Sequence, residues 1–321
     1  MTLKSTNYKK ISILALILIF SVPLICSSKT SSLPNNKVLP KKENPVFYVS
    51  AHPDDWQIFI GNKVYNDVKQ GRKVVIIYTT AGDAGREESF WRSRELAANT
   101  SVEFLVDGSL VDDEKNNNKC SFNMVNNHSL WRCTYGKVTS YWLRLPDGTP
   151  SGQGTLTYQR QSLKKFYQED INSLQTVDKS STYSSWEDLT KTITQLINKE
   201  KLDNRTSYSI YSHSYKDVFI GSPGDHSDHI YSGKLIFDLT DRFPVKKYWY
   251  SGYNAVNQPI NLSDEDVLHK LDLFMSFERA MLYDISHSTY SEAPKTYFNW
   301  LVRTYYYEEG SSGLNELRIE R

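Results

Sequence analysis

The chain has 321 residues, with 38 Lys and Arg against 37 Asp and Glu and a formal net charge of +1. That length supports one large α/β domain with an ample core, and the near-neutral balance excludes a chain drawn by its overall charge to nucleic acid or another polyanion. No repeat and no disorder-prone composition is present, and the 22 Tyr supply flat, half-polar rings of the kind that meet sugar faces or pack at a rim.

Residues 1 to 26 carry Lys4, Lys9 and Lys10 ahead of an apolar run from Ile11 to Ile25 that ends at Cys26. The run is short for a bilayer span of about 20 residues but suits the apolar core of an export signal. It is expected to be an export signal or membrane anchor that puts the protein outside the cytoplasm: periplasmic, cell-surface or secreted. Cys26 is the candidate for lipid attachment. Residues 27 to 44, rich in Ser, Lys, Pro and Asn, read as a solvated tether, and residues 45 to 321 as the folded domain.

Val46 to Ser50 reads as the first strand, and Ile58, Phe59, Val64, Tyr65 and Val68 give a helical face that stops at Gly71. Lys73 to Thr80 is a near-continuous apolar strand of the kind buried on both faces, followed by the loop Thr80-Ala81-Gly82-Asp83-Ala84-Gly85 and a helix over Glu87 to Asn99. This βαβα opening predicts an α/β fold: a Rossmann-like, mostly parallel sheet with helices on both faces, in a single domain.

Ser101 to Gly136 reads as an irregular or hairpin insertion. Within it Cys120 and Cys133 bracket a polar segment, and in an oxidising compartment they would close a small loop. A thiolate metal pair is the rival reading, but it lacks CxxC spacing and a second pair. A strand over Val138 to Leu145 ends at Pro146-Asp147-Gly148, and Trp186 to Asn198 is an amphipathic helix. Ser207 to His213 and Lys247 to Tyr250 read as further strands, and Asp264 to Tyr283 as a helix with acids in its first turn.

Two acidic–histidine clusters carry the chemistry. His52-Pro53-Asp54-Asp55 directly follows the first strand, where open α/β sheets put their ligands. His226-Ser227-Asp228-His229 follows the turn-forming stretch Gly221-Ser222-Pro223-Gly224-Asp225. Together they offer two imidazoles and a carboxylate for one divalent metal. His52 and Asp55, three apart on a tight turn, are the expected ligands of the first cluster, which leaves Asp54 free to take a proton. His229, opening a helical segment over Ile230 to Phe237, is the expected third ligand, with His226 beside it as a donor. His213 reads as a satisfied strand-end histidine, and His128, His269 and His287 as structural.

The AHPDD strand end, the Thr80-Ala81-Gly82-Asp83 loop, the Arg92-x-x-Glu95-Leu96 helix, the Leu145-Pro146-Asp147-Gly148 turn and the late HSDH resemble the zinc-dependent N-deacetylases of the PIG-L/LmbE-like family, in order over roughly residues 45 to 285. The resemblance implies Zn2+ held by His52, Asp55 and His229, with Asp54 as general base and His226 assisting the tetrahedral intermediate. By similarity of position it gives Arg92 and Asp147 contacts to substrate hydroxyls. It implies hydrolysis of an N-acetyl or related acyl group from an amino sugar or N-acetylglucosamine conjugate. Family members commonly follow HPDD with Glu where this chain has Trp56, a departure that bears on tuning and substrate choice.

Two other readings stand beside this one. A non-catalytic carbohydrate-binding surface protein on the same fold is suggested by Trp56 and the aromatic excess, and opposed by Asp54, which binding alone does not need. A non-haem iron oxygenase is suggested by His52-x-Asp54 with a distant His229, and opposed by the alternation of strands and helices. The expected partners are a small-molecule or glycan substrate and a membrane reached through the N-terminus, with no nucleic acid. The Asn-x-Ser/Thr sequences at Asn99, Asn127, Asn204 and Asn261 matter only in a glycosylating pathway.

Overall fold

The computed structural model describes residues 44–108, 118–202, 207–219, 221–239 and 245–310. The expected export segment with Cys26, almost all of the tether and Asn204 lie outside the described residues. Lys42–Arg321 forms one compact unit. Among the described residues no helix is long and apolar enough to cross a membrane.

In chain order the elements are β1 (Val46–Ser50), a π-helical turn (Trp56–Ile60) running into α1 (Gly61–Lys69), β2 (Val74–Thr80) and α2 (Glu88–Gly108). Next come β3 (Lys119–Val125), β4 (His128–Tyr135), β5 (Val138–Leu145), α3 (Leu163–Tyr167), the short pair β6 (Leu174–Gln175) and β7 (Thr182–Tyr183), and α4 (Trp186–Glu200). The chain continues through β8 (Tyr208–His213), α5 (Ser227–Phe237), β9 (Val245–Tyr250), a 3-10 turn (Tyr253–Asn257), α6 (Asp264–Ile285), α7 (Thr289–Glu292), α8 (Pro294–Leu301) and β10 (Tyr306–Glu308).

Eight strands form one sheet in the order β10-β9-β8-β1-β2-β5-β4-β3. The five from β9 to β5 are mutually parallel, whereas β10, β4 and β3 pair antiparallel at the two margins. The expected α/β architecture is therefore present, and the apolar alternation along β1 shows how it is held. Val46 and Tyr48 face one core with α1, α2 and α6, while Phe47 and Val49 face the other with α3, α4 and α5. Burial on both faces explains why β1 and β2 read as continuous apolar runs.

The segment Ser101 to Gly136, expected to be irregular or a hairpin, is corrected at its start and is a hairpin in its second half. Its first eight residues complete α2, whose apolar face continues through Val102 and Leu105. Its second half is the β3–β4 hairpin, which joins the main sheet beside β5. Cys120 and Cys133 face each other directly in that hairpin and are joined by a disulfide.

The topology fixes where a site can lie. From β1 the chain crosses by α1 to β2 on one side; from β8 it crosses by α5 to β9 on the other, over the opposite face. Neighbouring strands whose connections diverge leave a crevice at their C-terminal ends, here between β1 and β8. Both acidic–histidine clusters lie at that crevice.

Candidate metal centre and active site

His52, Asp54 and Asp55 occupy the turn leaving β1, and His229 lies in the first turns of α5, the helix that follows β8. The fold brings three donors together: His52, Asp55 and His229 offer ligand atoms all within 4.8 Å of one another, and all three residues are buried. His52 Nδ1 is 3.1 Å and His229 Nε2 is 3.3 Å from the Asp55 carboxylate. His229 Nε2 is buried and has no hydrogen-bond partner, although burying a nitrogen lone pair without one is costly. Two imidazoles and a carboxylate converging on one point, with one imidazole nitrogen orphaned there, fit a single divalent metal of the zinc type.

Each imidazole is oriented from behind by a carboxylate. Asp228 accepts from His52 Nε2 at 3.3 Å, and Asp225 accepts from His229 Nδ1 at 2.7 Å. With those nitrogens donating, His52 Nδ1 and His229 Nε2 keep their lone pairs for the shared point, the arrangement metal-binding histidines ordinarily show. Gly252 makes room for the second pair, since a Cβ there would lie 2.3 Å from His229 Nδ1 and 2.4 Å from Asp225 Oδ1.

The sequence motifs interlock through the same carboxylates. Asp83, in the loop after β2, accepts from the backbone N–H of Asp147 at 2.7 Å and so holds the turn after β5. Asp228 also accepts from Gly148 N–H of that turn at 2.8 Å. The Asp147 carboxylate thereby stands 3.8 Å from His52 Nε2.

Asp54 lies beside this group and outside it. Its carboxylate accepts from the Arg94 guanidinium, both side chains being more than nine-tenths buried. Burial raises the Asp54 pKa from its ordinary value, and Arg94 opposes that rise. His226 caps α5: its Nδ1 accepts from Asp228 N–H at 3.1 Å, so the proton of the neutral ring sits on Nε2. Burial, with His52 and His229 nearby, lowers its pKa and keeps it in that neutral, donating form.

These groups line a cleft of about 350 Å³, near the lower bound for small-molecule pockets. Its lining includes the polar His52, Asp54, Asp55, Arg94, Asp147 and His226 and the apolar or aromatic Ile58, Tyr253, Tyr297 and Trp300.

Arg92 is not among them. It is about half exposed on α2 and pairs with Glu88 at 2.7 Å, whereas Arg94, two residues on, lines the cleft. His213 is more than a satisfied strand end: its ring stacks on His229 at 3.9 Å, its Nε2 is 3.3 Å from Asp55, and its Nδ1 is buried without a partner. His128 pairs with Asp188, His269 stacks on Tyr65, and His287 packs on Phe90, all away from the cleft. Trp56 does not enter the cleft either. Its ring is wholly buried and donates to the Tyr78 hydroxyl at 2.9 Å, so it fills the core beneath the site.

With this geometry in view, the PIG-L family, described as GlcNAc-PI de-N-acetylase, matches residues 47–240, more than half of the chain. The chain belongs to that family. The matched segment carries both clusters, Asp83, Arg94, Asp147 and Asp225, and stops before Tyr253, Tyr297 and Trp300. No curated protein matches the chain. Among solved structures it is similar to the N,N'-diacetylchitobiose deacetylase from Pyrococcus horikoshii, at 16% identity over 75% of this chain and 72% of that one, TM-score 0.42. It is also similar to a zinc-inhibited form of teicoplanin deacetylase, at 11% identity over 74% and 84%, TM-score 0.41. A third is the 4-carboxy-2-hydroxymuconate hydratase GalB from Pseudomonas putida, at 11% over 80% and 83%, TM-score 0.39. Likenesses this distant carry no argument about the reaction.

Proposed function

We propose that this protein is a zinc-dependent N-deacetylase that hydrolyses the acyl amide of an N-acetylated amino sugar. The observation that carries the reading is the convergence of His52, Asp55 and His229 on one point beside Asp54, in a cleft of a chain that belongs to the PIG-L family. His52, Asp55 and His229 would hold the metal, which when bound supplies Lewis acidity toward water and an acyl carbonyl.

The chain's own groups account for the proton traffic. Asp54, next to the donor group and raised by burial, takes the proton of the attacking water and returns one to the departing amine as the carbon–nitrogen bond breaks. Arg94 holds one carboxylate oxygen of Asp54 and so fixes its direction. His226 donates its Nε2 proton in a hydrogen bond to the acyl oxygen as that atom gains charge. Asp147 accepts from a sugar hydroxyl in the cleft. The products are the free amine and acetate.

Each rival reading loses one of its supports. Trp56, which suggested a sugar-binding surface, is buried in the core. The HxD spacing that suggested an oxygenase is not what the fold uses, since Asp55 and not Asp54 meets His52 and His229, and the central strands are parallel and covered by helices.

We also place this site outside the cytoplasm, a reading supported by the Cys120–Cys133 disulfide and by the apolar run Ile11 to Ile25. Cell fractionation checks it. For the reaction, acetate release from N,N'-diacetylchitobiose by the zinc-loaded protein is compared with that of Asp54→Asn. A loss of about 100-fold or more with metal retained is expected; undiminished turnover would remove Asp54 from the mechanism.

A further inference from the structure

We propose that Tyr297, with Tyr253 and Trp300 behind it, is a specificity wall that takes the apolar face of an uncharged pyranose ring. This deepens the deacetylase reading and rests on it. The wall lies beyond residue 240, where the family match ends, so this chain builds it from its own C-terminal segment.

The three rings are held as one unit. Trp300 stacks on Tyr253 with centroids 4.6 Å apart, and its Nε1 donates to the Tyr253 carbonyl at 3.1 Å. Tyr297 precedes Trp300 by three residues on α8, meets it edge-on at 5.3 Å, and is the more exposed of the two. Lys270, buried on α6, donates to the carbonyls of Trp300 and Arg303 at the end of α8 and locks that helix in place. Tyr253 in turn touches the metal-site histidine His229 edge-on at 5.0 Å. The wall is thus rigid and abuts the reacting end of the cleft.

Asp147 and Thr149 line the same cleft and present acceptors. A cleft lined by both aromatic rings and hydrogen-bonding groups matches a ring with a C–H face and a rim of hydroxyls. It does not match a lipid chain, which has nothing for Asp147 to bind. Charge narrows the class further. Among the described residues Arg94 is the one Lys or Arg lining the cleft and is already paired with Asp54, while Asp54, Asp55 and Asp147 are acids. Among the described residues no lysine or arginine side chain lining the cleft is free for a phosphate, and this favours a neutral ring.

The test uses the zinc-loaded full chain with N,N'-diacetylchitobiose as the neutral sugar, N-acetylglucosamine 1-phosphate as the charged one and N-acetylethanolamine as an amide without a ring. Calorimetric binding is measured in the Asp54→Asn background and acetate release in the active one. Tyr297→Leu is expected to weaken disaccharide binding about tenfold, the scale of one aromatic contact, and to shift kcat/KM against the sugar relative to the acyclic amide by a similar factor. Tyr297→Phe is expected to restore both.

Equal losses on sugar and acyclic amide, failure of Tyr297→Phe to restore binding, or tighter binding of the phosphate ester than of the neutral disaccharide would each overturn the wall. A protein that binds the disaccharide through Tyr297 but releases no acetate from any substrate would sustain the wall and overturn the deacetylase reading.

Discussion

Asp228 accepts a hydrogen bond from His52 Nε2 across 176 residues of sequence, and with the same oxygen it accepts from the backbone N–H of Gly148. One buried carboxylate thus ties together the turn after β1, the turn after β5 and the start of α5. Asp225 does for His229 what Asp228 does for His52.

If those carboxylates orient the imidazoles, Asp225→Asn and Asp228→Asn should fold and keep the site but bind zinc about 10- to 100-fold more weakly. Competition against a chelator of known affinity reads this directly. Unchanged affinity in both variants would leave the carboxylates with a packing role only.

Arg94 and Arg92 stand two residues apart on α2 and point to different worlds, one to Asp54 in the cleft and one to Glu88 in solvent. Arg94→Gln should lower kcat/KM by tenfold or more, since it leaves the buried Asp54 carboxylate short of a charged partner that contributes on the order of 1.5–3 kcal/mol. Arg92→Gln should stay within about twofold, as exposed pairs contribute roughly 0–1 kcal/mol. The reverse ranking would restore Arg92 as the substrate contact that its position in the motif implied.

Away from the cleft, Glu200 at the end of α4 accepts from Lys73 at 2.6 Å and from the Tyr141 hydroxyl at 2.7 Å, with Arg132 at 3.3 Å. Burial alone would raise its pKa, but these partners win and hold it below the ordinary carboxylate value. Its folded-state pKa is therefore depressed, so its stabilisation is present above the unfolded-state pKa and is lost as pH falls through the folded one. Glu200→Gln should cost about 1–3 kcal/mol at pH 7 in urea unfolding, and the gap from wild type should close as the pH is lowered below about 4. A gap independent of pH would contradict the assignment.

The disulfide closes a separation of 13 residues in a hairpin at the margin of the sheet. Cys120→Ser/Cys133→Ser should lose about 3 kcal/mol of stability yet keep full turnover, because neither cysteine lines the cleft. Loss of turnover at a temperature where the variant remains folded would argue for a coupling between hairpin and site.

The sequence made the central strands and both clusters legible because each cluster sits at a sharp physical boundary: the first directly after a doubly buried apolar strand, the second between a Gly/Pro-rich turn and a helix. The orientation of α2 was not legible in the same way. Arg92 and Arg94 both lie on a helix whose inward face is decided by packing against α6, and only the folded chain shows that Arg94 faces Asp54. The role of Asp225 was hidden in a loop composition common to any turn, and the Tyr253–Tyr297–Trp300 wall depends on α8 folding back from nearly 250 residues beyond the first cluster. Trp56 shows the converse: its identity was plain, but its direction, down into the core toward Tyr78, was not.

The central claim is that His52, Asp55 and His229 hold one catalytic metal. Metal content by mass spectrometry on the purified protein, beside His229→Ala, tests it most directly. The account predicts zinc at about one ion per chain in the wild type and its loss in the variant, with acetate release lost in parallel. Zinc retained at full occupancy in His229→Ala, or acetate release by metal-free wild type, would contradict it.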